Sequence, residues 1–291
     1  MTGCRLSTSI PGVLYIKKAN GSSAPVVFDS PHSGADYPED FECIAPMAVV
    51  RKSEDAFVDE LYAAVPECGA SLQAALFPRA YIDPNRSLLD LDPELMDEPW
   101  PEPLEPSEKT RLGHGLIWRM CPPNYALYGR KLRTAEVRDR INTYWRPYHS
   151  ALRDMLDLAH EKFGEVWHIN CHSMPAAGVP QLPGARDSRR VDFVLGDRDG
   201  TTCAPEFTEL VAKTLRAFGY HVRFNDPYKG VELVRAYSDP ARGRHSLQVE
   251  INRALYMNEF SLERAEGFAG LQKNLTCLAN ILCDYARAKT N

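Results

Sequence analysis

Two histidines stand where short apolar, β-prone runs stop: His32 in VVFDSPHSG and His172 in EVWHINCHSM. Serine, glycine or proline follows each, so each is placed where a strand gives way to a loop. Open α/β sheets bind their ligands there, beyond the carboxyl ends of the strands. Two imidazoles are half of a metal site, and a catalytic zinc commonly adds one carboxylate and keeps a position for water. Asp55 is the first candidate for that acid, with Asp59, Asp36 and Asp29 behind it. His168 and His172 have the spacing of a helical HxxxH pair. A strand, however, separates residues four apart by roughly 13 Å, so His168 is read as a hydrogen-bonded core residue.

Glu250 lies inside SLQVEIN, where burying a carboxylate is costly unless a cation, a metal or strong donors accompany it. Beside an activated water it can serve as general base; a salt bridge to Arg253 is the structural alternative. Arg79 and Arg86 bracket the YIDPN turn, and Arg235 and Arg253 bracket the last strand. Guanidinium forks suit carboxylates because they donate two parallel hydrogen bonds. Arg242 and Arg244 read as solvated charges. Ser33 and Ser173 lack a GxSxG elbow, and Cys171 alternates away from His172 on its strand.

The elements that must position these groups follow from periodicity. Val26–Phe28 reads as a buried strand, and EDAFVDELYAAV as a helix capped by Ser53 or Asp55. SLQAALF leads as a strand into RAYIDPNRS. Residues 90–107, rich in proline and acid, read as a surface excursion. A helical pattern covers 134–163, with Pro147 starting a second helix or kinking the first, and Gly164 stopping it. PAAGVPQLPG is a loop, VDFVLGD a strand, 205–218 a helix, YHVRF a strand, and 261–288 a closing helix. Strands alternating with helices imply an α/β fold with a mostly parallel, mixed central sheet and helices on both faces. Residues 1–291 read as one domain.

The chain has 291 residues, 44% hydrophobic and 25% charged, enough for a large core in an ordinary globular protein. A net charge of −5 disfavours a nucleic-acid surface yet allows a locally basic pocket for a small anion. No apolar run approaches a membrane span. MTGCRLSTSIPGVLYIKK lacks the pattern of a secretory signal, and eight scattered cysteines without CxxC spacing read as reduced thiols. A cytoplasmic location is expected. Oligomeric state is not legible.

In order along the chain, DSPHSG, DxxVDELY (Asp55–Tyr62), RxYIDxNR (Arg79–Arg86), GLIWR, YWRPYH, NCHSMP, LGDRDGTTC and LQVEINRALYM resemble the N-formylglutamate amidohydrolases (deformylases). The likeness runs from about residue 26 to residue 258, and eight motifs in register are specific where one is not. It implies a zinc-exopeptidase-like fold, related to zinc carboxypeptidases and aspartoacylases, with one Zn²⁺ per chain. His32 and His172 then correspond to metal ligands, Asp55 to the acidic ligand, and Glu250 to the catalytic glutamate. Asn85 and Arg86 correspond to substrate-binding residues. One departure is that alanine occupies position 35, three residues after the first histidine, where carboxypeptidases place the metal acid. Asp55 must therefore fold back from a later segment.

Together these imply hydrolysis of N-formyl-L-glutamate to L-glutamate and formate, in histidine breakdown. Arg86 with Asn85 would grip one substrate carboxylate, and Arg235 or Arg253 the other; Arg79, Arg119 and Tyr228 are further pocket candidates. The alternatives are a zinc amidohydrolase of the same fold acting on another N-acyl amino acid or small peptide, and a non-enzymatic small-ligand-binding protein.

Overall fold

The structure, a computed structural model, describes residues 8–176 and 191–290. The loop expected at PAAGVPQLPG therefore lies, beyond Ala176, outside the described residues. Seven strands make the main sheet: β1 (Leu14–Lys17), β2 (Val26–Ser30), β3 (Ser71–Ala75), β4 (Val166–Met174), β5 (Phe193–Gly196), β6 (Val222–Phe224) and β7 (Arg244–Asn252), in the order β1-β3-β2-β4-β7-β5-β6. β2, β4 and β7 run parallel, as do β5 and β6, while β5 lies antiparallel to β7. The expected mixed, mostly parallel sheet is the one observed.

β4 shows why the sequence folds this way. Gly164 takes a φ of +80°, where glycine alone is unstrained, and ends the preceding helix. Val166, Trp167 and Ile169 then favour extended backbone, and all nine residues of the strand are buried. Their side chains alternate between two faces. Trp167 meets Phe207 and Tyr285 at ring distances of 6.0 and 5.9 Å, so the helices Pro205–Ala217 (α4) and Phe268–Thr290 (α6) cover that face. Tyr62, closing the short helix Val58–Leu61 (α1), packs on Phe28 at 5.4 Å on the same side. His168 points to the other face, where Tyr237 at the end of helix Glu232–Ala236 (α5) lies 6.4 Å away. Helices thus cover both faces.

By internal packing the described chain falls into two compact units. The first takes the chain up to Ile16, with Pro31–Asp55 and Ala74–Asp154; the second takes Lys17–Ser30, Ala56–Gln73 and the chain from Met155 onward. The first unit is organised by aromatics. Phe41 sits edge-on to Tyr81 and Tyr128 at 5.6 and 5.8 Å, and the buried Arg140 guanidinium stacks over Tyr81 at 4.0 Å. Arg140 also donates to the Tyr81 carbonyl and the Tyr128 hydroxyl, which fixes the start of the YIDPN turn.

Several expectations change. The helix expected over EDAFVDELYAAV shrinks to α1, because Phe57 adopts φ +65° and no side chain caps it. The closing helix begins at Phe268 rather than 261; Met257–Asn258 and Glu263–Arg264 pair as a small antiparallel ribbon instead. Over 134–163, helix Thr134–Arg140 (α2) passes through a π turn, Ile141–Trp145, into Arg146–Phe163 (α3), with Pro147 in the first turn of α3. The excursion at 90–107 is not wholly superficial. Asp90, Leu91, Asp92, Leu95 and Met96 are buried, and Leu95 accepts from Leu132 N at 2.8 Å.

Candidate active site

His32 follows β2 by two residues and is buried. Asp55 returns to it because its backbone N–H donates to the His32 carbonyl at 2.9 Å, and Ser33 Oγ donates to the Asp55 carbonyl at 3.1 Å. The fold-back that the alanine at position 35 requires is therefore built from main-chain hydrogen bonds. The His32 ring is held between two acids: Nε2 lies 2.7 Å from Asp83 Oδ1, and Nδ1 lies 3.3 Å from Asp55 Oδ2.

Asp83, the partner of His32 that sequence reasoning did not single out, sits inside the quoted YIDPN turn. Its Oδ1 also accepts from Asn85 N at 2.9 Å, and its Oδ2 accepts from Arg79 Nη2 at 3.0 Å and Trp118 Nε1 at 3.3 Å. Burial alone would raise its pKa. The charges of His32, Arg79 and Arg86 and the His32 hydrogen bond overcome that and hold the carboxyl well below the ordinary range. An aspartate surrounded by donors was detectable only as a polar residue in a turn otherwise ordered by Tyr81, Ile82 and Pro84. His114, close to this cluster, is driven the other way: burial, with Arg79, Lys109 and Arg86, lowers it to about 4.

The other half is carried by strands. β4 and β7 pair in register, with His172 opposite Glu250 and Asn170 opposite Gln248, so these side chains share a face. Glu250 is 6% exposed, and Gln248 Nε2 donates to its Oε1 at 2.9 Å. His172 Nε2 lies 2.7 Å from Asn170 Oδ1. His168, as expected of a core residue, is buried between Asp29 and Ser246. Burial keeps the Cys171 thiol well above its ordinary pKa, on the opposite face from His172, which leaves no Cys–His pair.

β2 is the parallel neighbour of β4, with Asp29 opposite Asn170. The residues just beyond this pair, His32 and His172, come to the carboxyl end of the same two strands. There His32, Asp55 and His172 each offer one ligand atom, and these atoms all lie within 4.8 Å of one another. Asp59 and Asp36 are absent from this group, and Asp29 is engaged with His168 and Asn170. Two imidazoles, each with one nitrogen held by an oxygen acceptor, and one buried carboxylate form a donor set that fits a catalytic divalent metal.

The arginines separate. Arg79, 16% exposed, pairs with Asp83 and lies 3.9 Å from Asp55. Arg86 is buried, and it donates to the carbonyls of His114 and Asn85 at 3.0 Å each, so it shapes the turn that carries the buried Asn85. Arg253 is buried directly after β7, with Nε donating to Ser173 Oγ at 3.0 Å. Arg235 is not brought to these groups: it is exposed on α5 and paired with Glu232 at 2.8 Å. Arg119 pairs with Asp92 and Glu94, and Tyr228 packs against Met174, Val191 and Val194.

Comparison with known proteins agrees over most of the chain. The family described as N-formylglutamate amidohydrolase matches residues 24–257. An N-formylglutamate deformylase of Pseudomonas putida is 30% identical over 239 residues, covering 81% of this chain and 82% of the relative. The crystal structure of an N-formylglutamate amidohydrolase from Ralstonia eutropha JMP134 is 50% identical, with a TM-score of 0.92 over 96% of this chain and 99% of that one. A gene product of Agrobacterium tumefaciens, 18% identical with a TM-score of 0.65 over 95% of each chain, shares the fold. The chain belongs to the N-formylglutamate amidohydrolase family.

Proposed function

We propose that this protein is a metal-dependent amidohydrolase that hydrolyses N-formyl-L-glutamate to L-glutamate and formate. The observation that carries the proposal is the convergence of the His32, Asp55 and His172 ligand atoms, with Glu250 the register partner of His172, in a chain of this family. His32, Asp55 and His172 would hold one Zn²⁺ per chain. Bound there, zinc would lower the pKa of water and polarise the formyl carbonyl.

Glu250 would take a proton from the attacking water; the Gln248 hydrogen bond to one of its oxygens supports this reading. Water oxygen joins the formyl carbon, the C–N bond breaks, and Glu250 returns the proton to the departing glutamate nitrogen. Asn85, with Arg79 and Arg86 beside it, supports one substrate carboxylate, and Arg253 is the candidate for the other. The displacement of Arg235 from this group favours keeping a second reading, in which the same apparatus acts on another N-acyl amino acid or small peptide. The family resemblance supports a place in histidine breakdown; a cytoplasmic location and a single hydrolytic domain belong to the same proposal, on composition and element pattern.

The test is metal content together with formate release from N-formyl-L-glutamate, for wild type and Glu250→Gln. About one zinc per chain in both, with activity reduced ~10²–10⁴-fold in the variant, is expected of a general base. Metal without formate release in the wild type would end the substrate assignment; release from N-formyl-L-leucine at the same rate would favour the second reading.

A further inference from the structure

A file of buried polar side chains runs along the sheet face that carries His172: Ser246, His168, Asp29, Asn170 and His172. Its hydrogen bonds can be assigned in only one direction. Asp29 Oδ1 is an acceptor, and both His168 Nε2 at 2.7 Å and Asn170 Nδ2 at 2.8 Å lie against it. His168 Nε2 therefore carries a hydrogen, and in the neutral ring Nδ1 accepts from Ser246 Oγ at 2.7 Å. Asn170, with its amide nitrogen directed to Asp29, must turn its oxygen to His172, where Oδ1 lies 2.7 Å from Nε2. An oxygen acceptor requires a donor, so Nε2 of His172 carries the hydrogen. Reversing the Asn170 amide would set its oxygen against the Asp29 carboxylate oxygen, forfeiting that buried hydrogen bond even if His172 changed tautomer to accept from the NH₂.

We infer that Asp29 and Asn170 are positioning residues that lock His172 in its Nε2–H tautomer and so present Nδ1 as its ligand atom. The last step rests on the metal reading above; the tautomer does not. Ser246, His168 and Asp29 have the connectivity of a hydrolytic triad, but Ser246 and Asp29 are 0% exposed and His168 is 1% exposed, so no substrate reaches them. They act as scaffold. His32 has no such intermediary, since Asp83 meets its Nε2 directly. Each imidazole thus has its Nε2 held by an oxygen acceptor, one a carboxylate and one an amide that a carboxylate orients.

Long-range ¹H–¹⁵N NMR of ring nitrogens in the metal-free wild-type protein reads the tautomer without any substitution. The expected result is Nε2–H at His172; Nδ1–H, or an even mixture, would overturn the inference. In Asn170→Ala, or Asn170→Ser should that variant fail to fold, the tautomers should mix and zinc affinity by chelator competition should fall ~10–100-fold. Ser246→Ala, at the far end, should leave both unchanged, because Asp29 still directs Asn170. A folded Asn170→Ala protein with wild-type tautomer and affinity would also overturn the proposal. Wild type with the Nε2–H tautomer but no zinc binding would uphold the positioning and sink the metal reading.

Discussion

The loop-borne and strand-borne halves of the site are built on different physical principles. Around His32 the support is ionic: the Asp83 carboxylate, the Arg79 guanidinium and the Asp55 carboxylate lie within 4 Å of one another or of the ring. Around His172 it is register: Asn170, Gln248 and Glu250 are placed by two parallel strands, and the ring donates its hydrogen bond to a neutral amide oxygen. A loop has no ladder to fix it, so charge supplies the orientation. A central strand already has the ladder, so a neutral hydrogen bond is enough.

That contrast can be broken most severely at Asp83. Asp83→Ala would leave Arg79 and the His32 Nε2–H without their acceptor, and breaking a buried ion pair in this way costs ~3–5 kcal/mol. Urea unfolding should show that loss, and no single amide removal in the strand half should match it. Gly34→Ala tests the loop by sterics alone. A Cβ there would stand 2.3 Å from the Phe77 carbonyl oxygen and 2.4 Å from Leu76 C, both backbone atoms. Overpacking of this kind costs ~1–3 kcal/mol, and the displaced His32 loop should bind metal more weakly in the same chelator competition.

Acid should act on the loop half more gently, through His114. Its folded pKa, about 4, lies below the ordinary value of 6.5. The unfolded chain therefore binds the extra proton between these values, and stability falls as pH drops through that window. Above it the contribution is complete. Thermal unfolding of wild type and His114→Asn should run in parallel above pH 6.5 and converge or cross below it, with wild type losing more. The smallest effect is expected at Arg235→Ala, which removes an exposed pair with Glu232: ~0.5 kcal/mol or less, with KM for N-formyl-L-glutamate unchanged. A large rise in KM would return Arg235 to the substrate pocket.

The strand half was legible in the sequence because period-two alternation states which residues share a face. His172 could be set at a strand end, Glu250 inside the last strand, and His168 dismissed as a ligand, from pattern and spacing. The loop half was legible only through residue type. Asp55 could be named as candidate acid, but the bond from its N–H to the His32 carbonyl has no sequence signature. Asp83 lay in a recognised turn without declaring that its carboxylate would collect donors from Arg79, Trp118 and Asn85. The helix at EDAFVDELYAAV failed for a related reason: its apolar stripe was sound, but the αL conformation at Phe57 interrupts the backbone. Arg235 was named from its position before the last strand; what that position does not declare is that its guanidinium pairs with Glu232 on α5.

The sheet order also bears on biosynthesis. β7 lies between β4 and β5, yet it is the last of the sheet's strands to leave the ribosome. A nascent chain that stops short of Arg244 carries β4 with one hydrogen-bonding edge unfilled, and β5 likewise. Such edges are templates for other chains. The strand that delivers Glu250 is therefore also the one that seals the sheet, and a premature stop before it should yield an aggregation-prone fragment rather than a folded, inactive enzyme.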